Sequence, residues 1–267
     1  MTIKKEILSV AIVQQDIVWQ VRERNYALVE KLLEQGLDRN VDVIVVPETF
    51  STAFTDDMPS MAEEKVGATY DFALSMARRY DALFVGTWVV RDGESASAYN
   101  RMHLVAPDGL LGAYDKHHTF RLSSEAQQIA RGEGRITTEW RGWNIRPAIC
   151  YDLRFPTWLR NTYNAVDGDM DYDLLLLSAN WPKTRIAVWD ILLKARAIEN
   201  LSYVVGVNRT GIDANGLVYN GHSMAVDYAG HVITNTDNEG QGVTVVDLDY
   251  EELAAFRRKC PFYLDFD

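Results

Sequence analysis

Apolar residues recur along this chain in short unbroken runs. Residues 8–13, 41–46, 83–90, 145–149, 174–178 and 203–208 are nearly continuous, which is the pattern of strands covered on both faces. Residues 101–106, 110–114, 223–226, 231–234 and 243–247 read as further strands. Between the runs the period changes. Residues 22–35 set Leu28 and Leu32 on one face, 70–79 group Phe72, Leu74 and Met76, and 185–200 carry Ile186, Trp189, Leu193 and Ala197 at helical spacing. Residues 155–164 read as one more helix. The early part alternates strand and helix. The last third is strand-rich, with Asn215-Gly216 and Asn220-Gly221 as turns. The whole predicts α/β layers with mixed sheets. The apolar stripe of 185–200 suits either the sheet or a second copy of the chain.

Composition narrows the class. With 267 residues and neither a Pro/Gly/Ser-rich linker nor a repeat, one domain over 1–267 is the simplest organisation. A net charge of −11 argues against nucleic-acid backbone binding. It leaves room for an anionic small substrate, because a few local cations override the global sign. The two cysteines, Cys150 and Cys260, form no disulfide framework and read as free thiols in a reducing cytosol. The apolar segment near the N-terminus is too short for a membrane span and lacks a cleavage site, so it reads as a first strand. The expectation is a cytoplasmic protein without membrane or nucleic-acid partners.

Three strand ends carry chemistry. Val43-Ile44-Val45-Val46-Pro47 ends in Glu48, Leu111-Gly112-Ala113-Tyr114-Asp115 ends in Lys116, and Arg146-Pro147-Ala148-Ile149 ends in Cys150. A thiol where a strand gives way to a helix gains backbone N–H groups and the positive helix end, both of which favour thiolate. A thiolate attacks an amide carbon. The resulting oxyanion is met by the Lys116 ammonium and a backbone N–H such as that of Tyr151, and Glu48 moves the protons. No metal or organic cofactor is needed. Taken singly, each residue is more often structural: a small buried thiol, a turn acid, a solvated lysine. Taken jointly, at three apolar strand ends, they favour function.

These residues resemble the nitrilase superfamily of carbon–nitrogen hydrolases. Pro47-Glu48, Tyr114-Asp115-Lys116-His117-His118 and Cys150-Tyr151-Asp152-Leu153-Arg154-Phe155-Pro156 look like the family's three motifs. Ser178-Ala179-Asn180-Trp181-Pro182, Lys194-Ala195-Arg196-Ala197-Ile198-Glu199-Asn200 and Gly221-His222-Ser223 extend the likeness over nearly the whole chain. The resemblance implies a four-layer αββα sandwich of mixed sheets, a Glu–Lys–Cys triad and frequent dimerisation. It also implies a second active-site glutamate, carried over to Glu125, that orients the lysine or positions substrate. Within the superfamily the chain looks most like omega-amidases acting on 2-oxoglutaramate and 2-oxosuccinamate. Residues 115–122 and 179–182 carry that closer match. The alternatives are another amidase, carbamylase or nitrilase using the same triad, or a non-catalytic binding protein of the same fold.

A 2-oxo acid amide bears a carboxylate that calls for a cation, ideally a guanidinium. Arg121, Arg154, Lys183 and Arg185 lie near the motifs, and Arg154 is equally placed to brace Asp152. Phe120, Tyr151 and Trp181 are candidate pocket walls, although aromatic core packing suits them as well. His103, His117, His118, His222 and His231 show no zinc-type spacing. Structural hydrogen bonding fits them better than a Cys–His pair, and Cys260 reads as inert.

Overall fold

In the first strand, β1 (Ile7–Gln14), side chains alternate between two buried environments. Leu8, Val10 and Ile12 face a core shared by two sheets, while Ala11 and Val13 face a layer of helices. The same division holds in the next strands, and it requires a sheet covered on both sides. The computed structural model describes residues 4–93, 97–165, 168–234 and 239–265.

The first sheet is built from β1, β2 (Val43–Val45), β3 (Leu83–Arg91), β4 (Ala98–Ala106) and β5 (Gly109–Asp115), with β11 (Gly242–Asp249) on the far edge. β1, β2 and β3 pair parallel; β3–β4–β5 and β1–β11 pair antiparallel. The second sheet runs β10 (Met224–Val226), β9 (Tyr203–Asn208), β8 (Leu174–Ala179), β7 (Trp143–Ile149) and β6 (Thr138–Trp140). Its three central strands are parallel.

Helices cover the outer faces. α1 (Arg22–Gly36) and α2 (Ala68–Tyr80) pack Val29, Leu33, Ala73 and Ala77 on the first sheet. α3 (Ile186–Asn200) packs Trp189, Leu193 and Ala197 on the second. The layer order is therefore αββα. Gly206 permits the close approach of α3, since a Cβ there would lie 2.7 Å from both Leu193 and Trp189. The stripe of α3 thus serves the sheet, while Ile191 and Ile198 remain exposed on its outer side. Among the described residues no helix is long and apolar enough to cross a membrane.

Two expectations need correction, and one helix goes unread in the sequence. Residues 231–234 form no strand; Val232 makes only an isolated bridge to Val226. The helix expected over 155–164 is a single turn, Pro156–Leu159. Asn161 stops it by giving its side-chain amide to the carbonyls of Tyr172 and Asn200 at 2.9 and 3.0 Å. A helix not read from the sequence, α4 (Tyr250–Lys259), follows β11, capped by Asp249 accepting from the Glu252 N–H at 3.0 Å.

Candidate active site

Ligands of open α/β sheets bind beyond the carboxyl ends of the strands, and the chemistry of this chain gathers there. Glu48 follows β2, Cys150 follows β7, and Asn180 follows β8. Lys116 follows β5 on the same sheet as Glu48. Two hydrogen bonds stitch the sheets together at this end. Ser178 Oγ donates to the Val46 carbonyl at 2.7 Å, and Asn180 Nδ2 donates to the Glu48 carbonyl at 2.7 Å.

Glu48, Lys116 and Cys150 converge on one cavity of about 260 Å³. Lys116 Nζ lies 2.7 Å from Glu48 Oε1 and 3.0 Å from each oxygen of Glu125, with all three side chains buried. Burial alone would lower the Lys116 pKa. Glu125 and Glu48 more than reverse this and hold the ammonium above its ordinary value. Burial pushes Glu125 up, Lys116 pulls it down, and the neighbouring Glu48 adds to the rise. Glu125 also accepts from the Phe120 N–H at 2.5 Å. It stands behind the lysine and does not line the cavity. Its geometry suits orienting Lys116, the first of the two roles the resemblance implies for it.

Cys150 begins the single 3₁₀ turn Cys150–Arg154. Its φ of +42° is the left-handed region, which a non-glycine residue occupies only at a cost. Asp152 holds the turn, accepting from the Ile149 N–H at 3.1 Å and from Tyr114 Oη at 2.7 Å. The helix end expected beside the thiol is a short 3₁₀ segment. Burial pushes the thiol well above its ordinary value and Glu48 adds to it, while Lys116 opposes them. A one-turn 3₁₀ segment has little dipole to set against that desolvation.

Glu48 is held in place by groups that gave no signal in the strand pattern. Its Oε2 accepts from the Asn180 N–H at 2.9 Å, and its Oε1 accepts from Asn100 Nδ2 at 2.8 Å. The Asn180 carbonyl in turn faces Cys150 Sγ at 3.9 Å. Asn180 lies in a stretch with family likeness; Asn100 was hidden one residue ahead of an expected strand.

The remaining candidates divide. Phe120, Tyr151, Arg154 and Trp181 line the cavity, as does Arg185. The Arg154 guanidinium lies over the Trp181 ring at 5.0 Å, and that of Arg185 lies over Phe120 at 5.4 Å. Arg154 therefore stacks on a wall and does not brace Asp152, whose oxygens are taken by His118, Tyr114 and Ile149. Arg121 is exposed and borders a separate depression beside His118, Arg131 and Phe155, so it leaves the substrate set. Lys183 is exposed and pairs with Glu239 at 3.8 Å. Phe54, Asp56, Asp213 and Tyr219 are among the other wall residues and were not read from the sequence.

His117, His118, His222 and His231 each contact a neighbouring oxygen through a ring nitrogen, while His103 stacks on Trp88. His117 stacks on Trp158 and meets the Gly132 carbonyl at 2.6 Å; His118 stacks on Phe155 and binds Asp152. Among the described residues no group of His, Cys, Asp and Glu is arranged to hold a metal ion.

A buried acid–lysine–acid cluster beside a thiol at the strand ends of an αββα sandwich defines a hydrolase architecture, and the chain belongs to the carbon–nitrogen hydrolase family, whose profile matches residues 9–258. The resemblance to the nitrilase superfamily and its omega-amidase branch holds. The chain is 39% identical over 262 residues to the omega-amidase YafV of Yersinia enterocolitica, covering 97% of each. It is 29% identical over 260 residues to a 2-oxoglutaramate amidase of Bacillus subtilis, covering 96% of each. A crystal structure of the Xanthomonas campestris protein XC1258, a CN-hydrolase superfamily protein with an arsenic adduct in its active site, superposes with a TM-score of 0.92 at 36% identity over 98% of both chains.

Proposed function

We propose that this enzyme is an omega-amidase that hydrolyses the terminal amide of a small 2-oxo acid, such as 2-oxoglutaramate or 2-oxosuccinamate, through a thioester on Cys150. The observation that carries the reading is the meeting of Glu48, Lys116 and Cys150 at one cavity that also holds two guanidinium groups. Neither guanidinium has an ion-pair partner among the described residues. The 39% identity to an omega-amidase supports the substrate class.

The chemistry follows from the geometry. Glu48 takes the thiol proton as Sγ attacks the amide carbon. Charge builds on the amide oxygen, where the Lys116 ammonium and the Tyr151 backbone N–H stabilise it. Glu48 passes its proton to the departing nitrogen, the C–N bond breaks, and ammonia leaves a thioester. Water then attacks the thioester. Glu48 takes one proton from that water and returns it to the sulfur, and the carboxylate product departs. Arg154 and Arg185 receive the substrate's remote carboxylate, their planes fixed by Trp181 and Phe120.

Ammonia release across 2-oxoglutaramate, 2-oxosuccinamate, glutamine, N-carbamyl amino acids and simple nitriles tests the reading. The 2-oxo acid amides should be the best substrates by kcat/KM. A preference for a nitrile or a carbamyl compound would overturn it in favour of another superfamily activity.

A further inference from the structure

Asn100 lies on β4, fully buried, one strand away from the Lys116 segment. Its side-chain nitrogen donates to Glu48 Oε1 at 2.8 Å and to Glu125 Oε1 at 3.1 Å. Lys116 Nζ contacts the same two oxygens at 2.7 and 3.0 Å. The Asn100 carbonyl also accepts from the Lys116 N–H at 2.9 Å. One amide and one ammonium thus bridge the same pair of carboxylates, closing a ring of four side chains. The amide must face this way, because its oxygen in that place would meet two acids. Asn100 does not line the cavity, so it has no contact to offer a substrate.

We infer that Asn100 is a positioning residue that holds the Glu48 carboxylate in the orientation needed to take the Cys150 proton. Two buried carboxylates share one ammonium, and like charges this close repel. Two amide N–H bonds, one to each carboxylate, offset that repulsion. They also fix the rotation of Glu48 about its last bond, leaving a lone pair for the thiol proton. Lys116 alone cannot do this, because a flexible ammonium serving three oxygens sets no plane. The titratable groups facing the pair are Lys116 and Cys150, with Tyr219 lining the same cavity as Cys150; the Phe120 and Asn180 N–H groups also donate to the carboxylates.

The inference rests on Glu48 acting as the base in the reading above, and a set of variants separates the two. Asn100→Leu removes both donors, Asn100→Ser keeps one, and Asn100→Asp keeps the shape with a third acid. They are assayed on 2-oxoglutaramate across pH, and by the rate of Cys150 alkylation with iodoacetamide, which also needs a deprotonated sulfur. For Asn100→Leu, kcat should fall about 10- to 100-fold, short of the loss expected for removing the base itself. KM should stay within about twofold, and the acid limb of kcat/KM should move up by roughly one pH unit, the weight of one lost charge-assisted bond. Asn100→Ser should recover part of the loss. Asn100→Asp, which preserves packing, should also carry the raised acid limb. A wild-type pH profile in the Leu and Asp variants, or a loss confined to KM, would overturn the inference. If Glu48→Gln itself keeps wild-type turnover and alkylation, the underlying reading fails instead.

Discussion

His118 gives Asp152 two hydrogen bonds, one from its backbone N–H at 2.9 Å and one from ring Nδ1 at 2.8 Å. The pair ties the segment after Lys116 to the turn that carries Cys150. Lys116 and Cys150 come from different sheets, so their separation depends on such cross-links. Tyr114 adds a third tie, donating to Asp152 and accepting from Trp158 Nε1 at 2.9 Å.

Asp152→Asn should therefore damage catalysis without touching a reacting atom. A buried acceptor of several hydrogen bonds becomes half a donor, and the left-handed backbone at Cys150 loses its brace. The expected result is a loss of kcat of about 10-fold or more, with destabilisation on the order of 1–3 kcal/mol. Steady-state kinetics and urea unfolding measure both. His118→Phe, which keeps the stack on Phe155, should give a milder version of each.

Glu48→Gln keeps the shape of the base and removes its proton chemistry. Because burial pushes the Cys150 thiol up and no other base adjoins it in the reading above, the variant should lose about 100- to 10,000-fold in kcat. Addition of a strong external base should not restore the wild-type rate, since the leaving nitrogen also needs the proton that Glu48 carries. Single-turnover and steady-state rates at matched pH check this.

Arg154→Met and Arg185→Met should raise KM for 2-oxoglutaramate by about 10-fold or more each, the weight of one charge-assisted interaction. Turnover of an uncharged amide such as butyramide should stay close to wild type. Equal losses on charged and neutral amides would assign both arginines to the pocket wall alone.

His103 sits at zero exposure, stacked on Trp88 at 3.7 Å. Burial, with help from Arg101, lowers its pKa to about 3. The unfolded chain binds a proton there below about pH 6.5 while the folded chain does not. Stability from this group is thus complete above pH 6.5 and is lost as pH falls toward 3, by up to about 2 kcal/mol between pH 8 and pH 5. His103→Phe should flatten that part of the acid limb in urea unfolding measured at several pH values.

The sheets were legible because their strands are covered on both faces and so read as unbroken apolar runs. Residues 174–178 and 203–208 show this most plainly. The helix at Tyr250–Lys259 was not, because it buries little beyond Leu253 and Arg257 and its surface is charged; only the Asp249 cap announced it. The turn after Phe155 misled because helix termination there comes from Asn161, whose partners lie at Tyr172 and Asn200. Glu48, Lys116 and Cys150 were visible as polar ends of apolar runs. Asn100 was not, since a lone amide inside a strand has no local pattern, and only folding brings it to both glutamates.

The central claim is that Cys150 becomes acylated with loss of ammonia. Rapid acid quench during turnover of 2-oxoglutaramate, followed by peptide mass mapping, tests it most directly. The account predicts an acyl adduct, the mass of the substrate less ammonia, on the peptide containing Cys150, and none in Cys150→Ala. An adduct on another residue, or steady ammonia release from the Cys150→Ala enzyme, would contradict it.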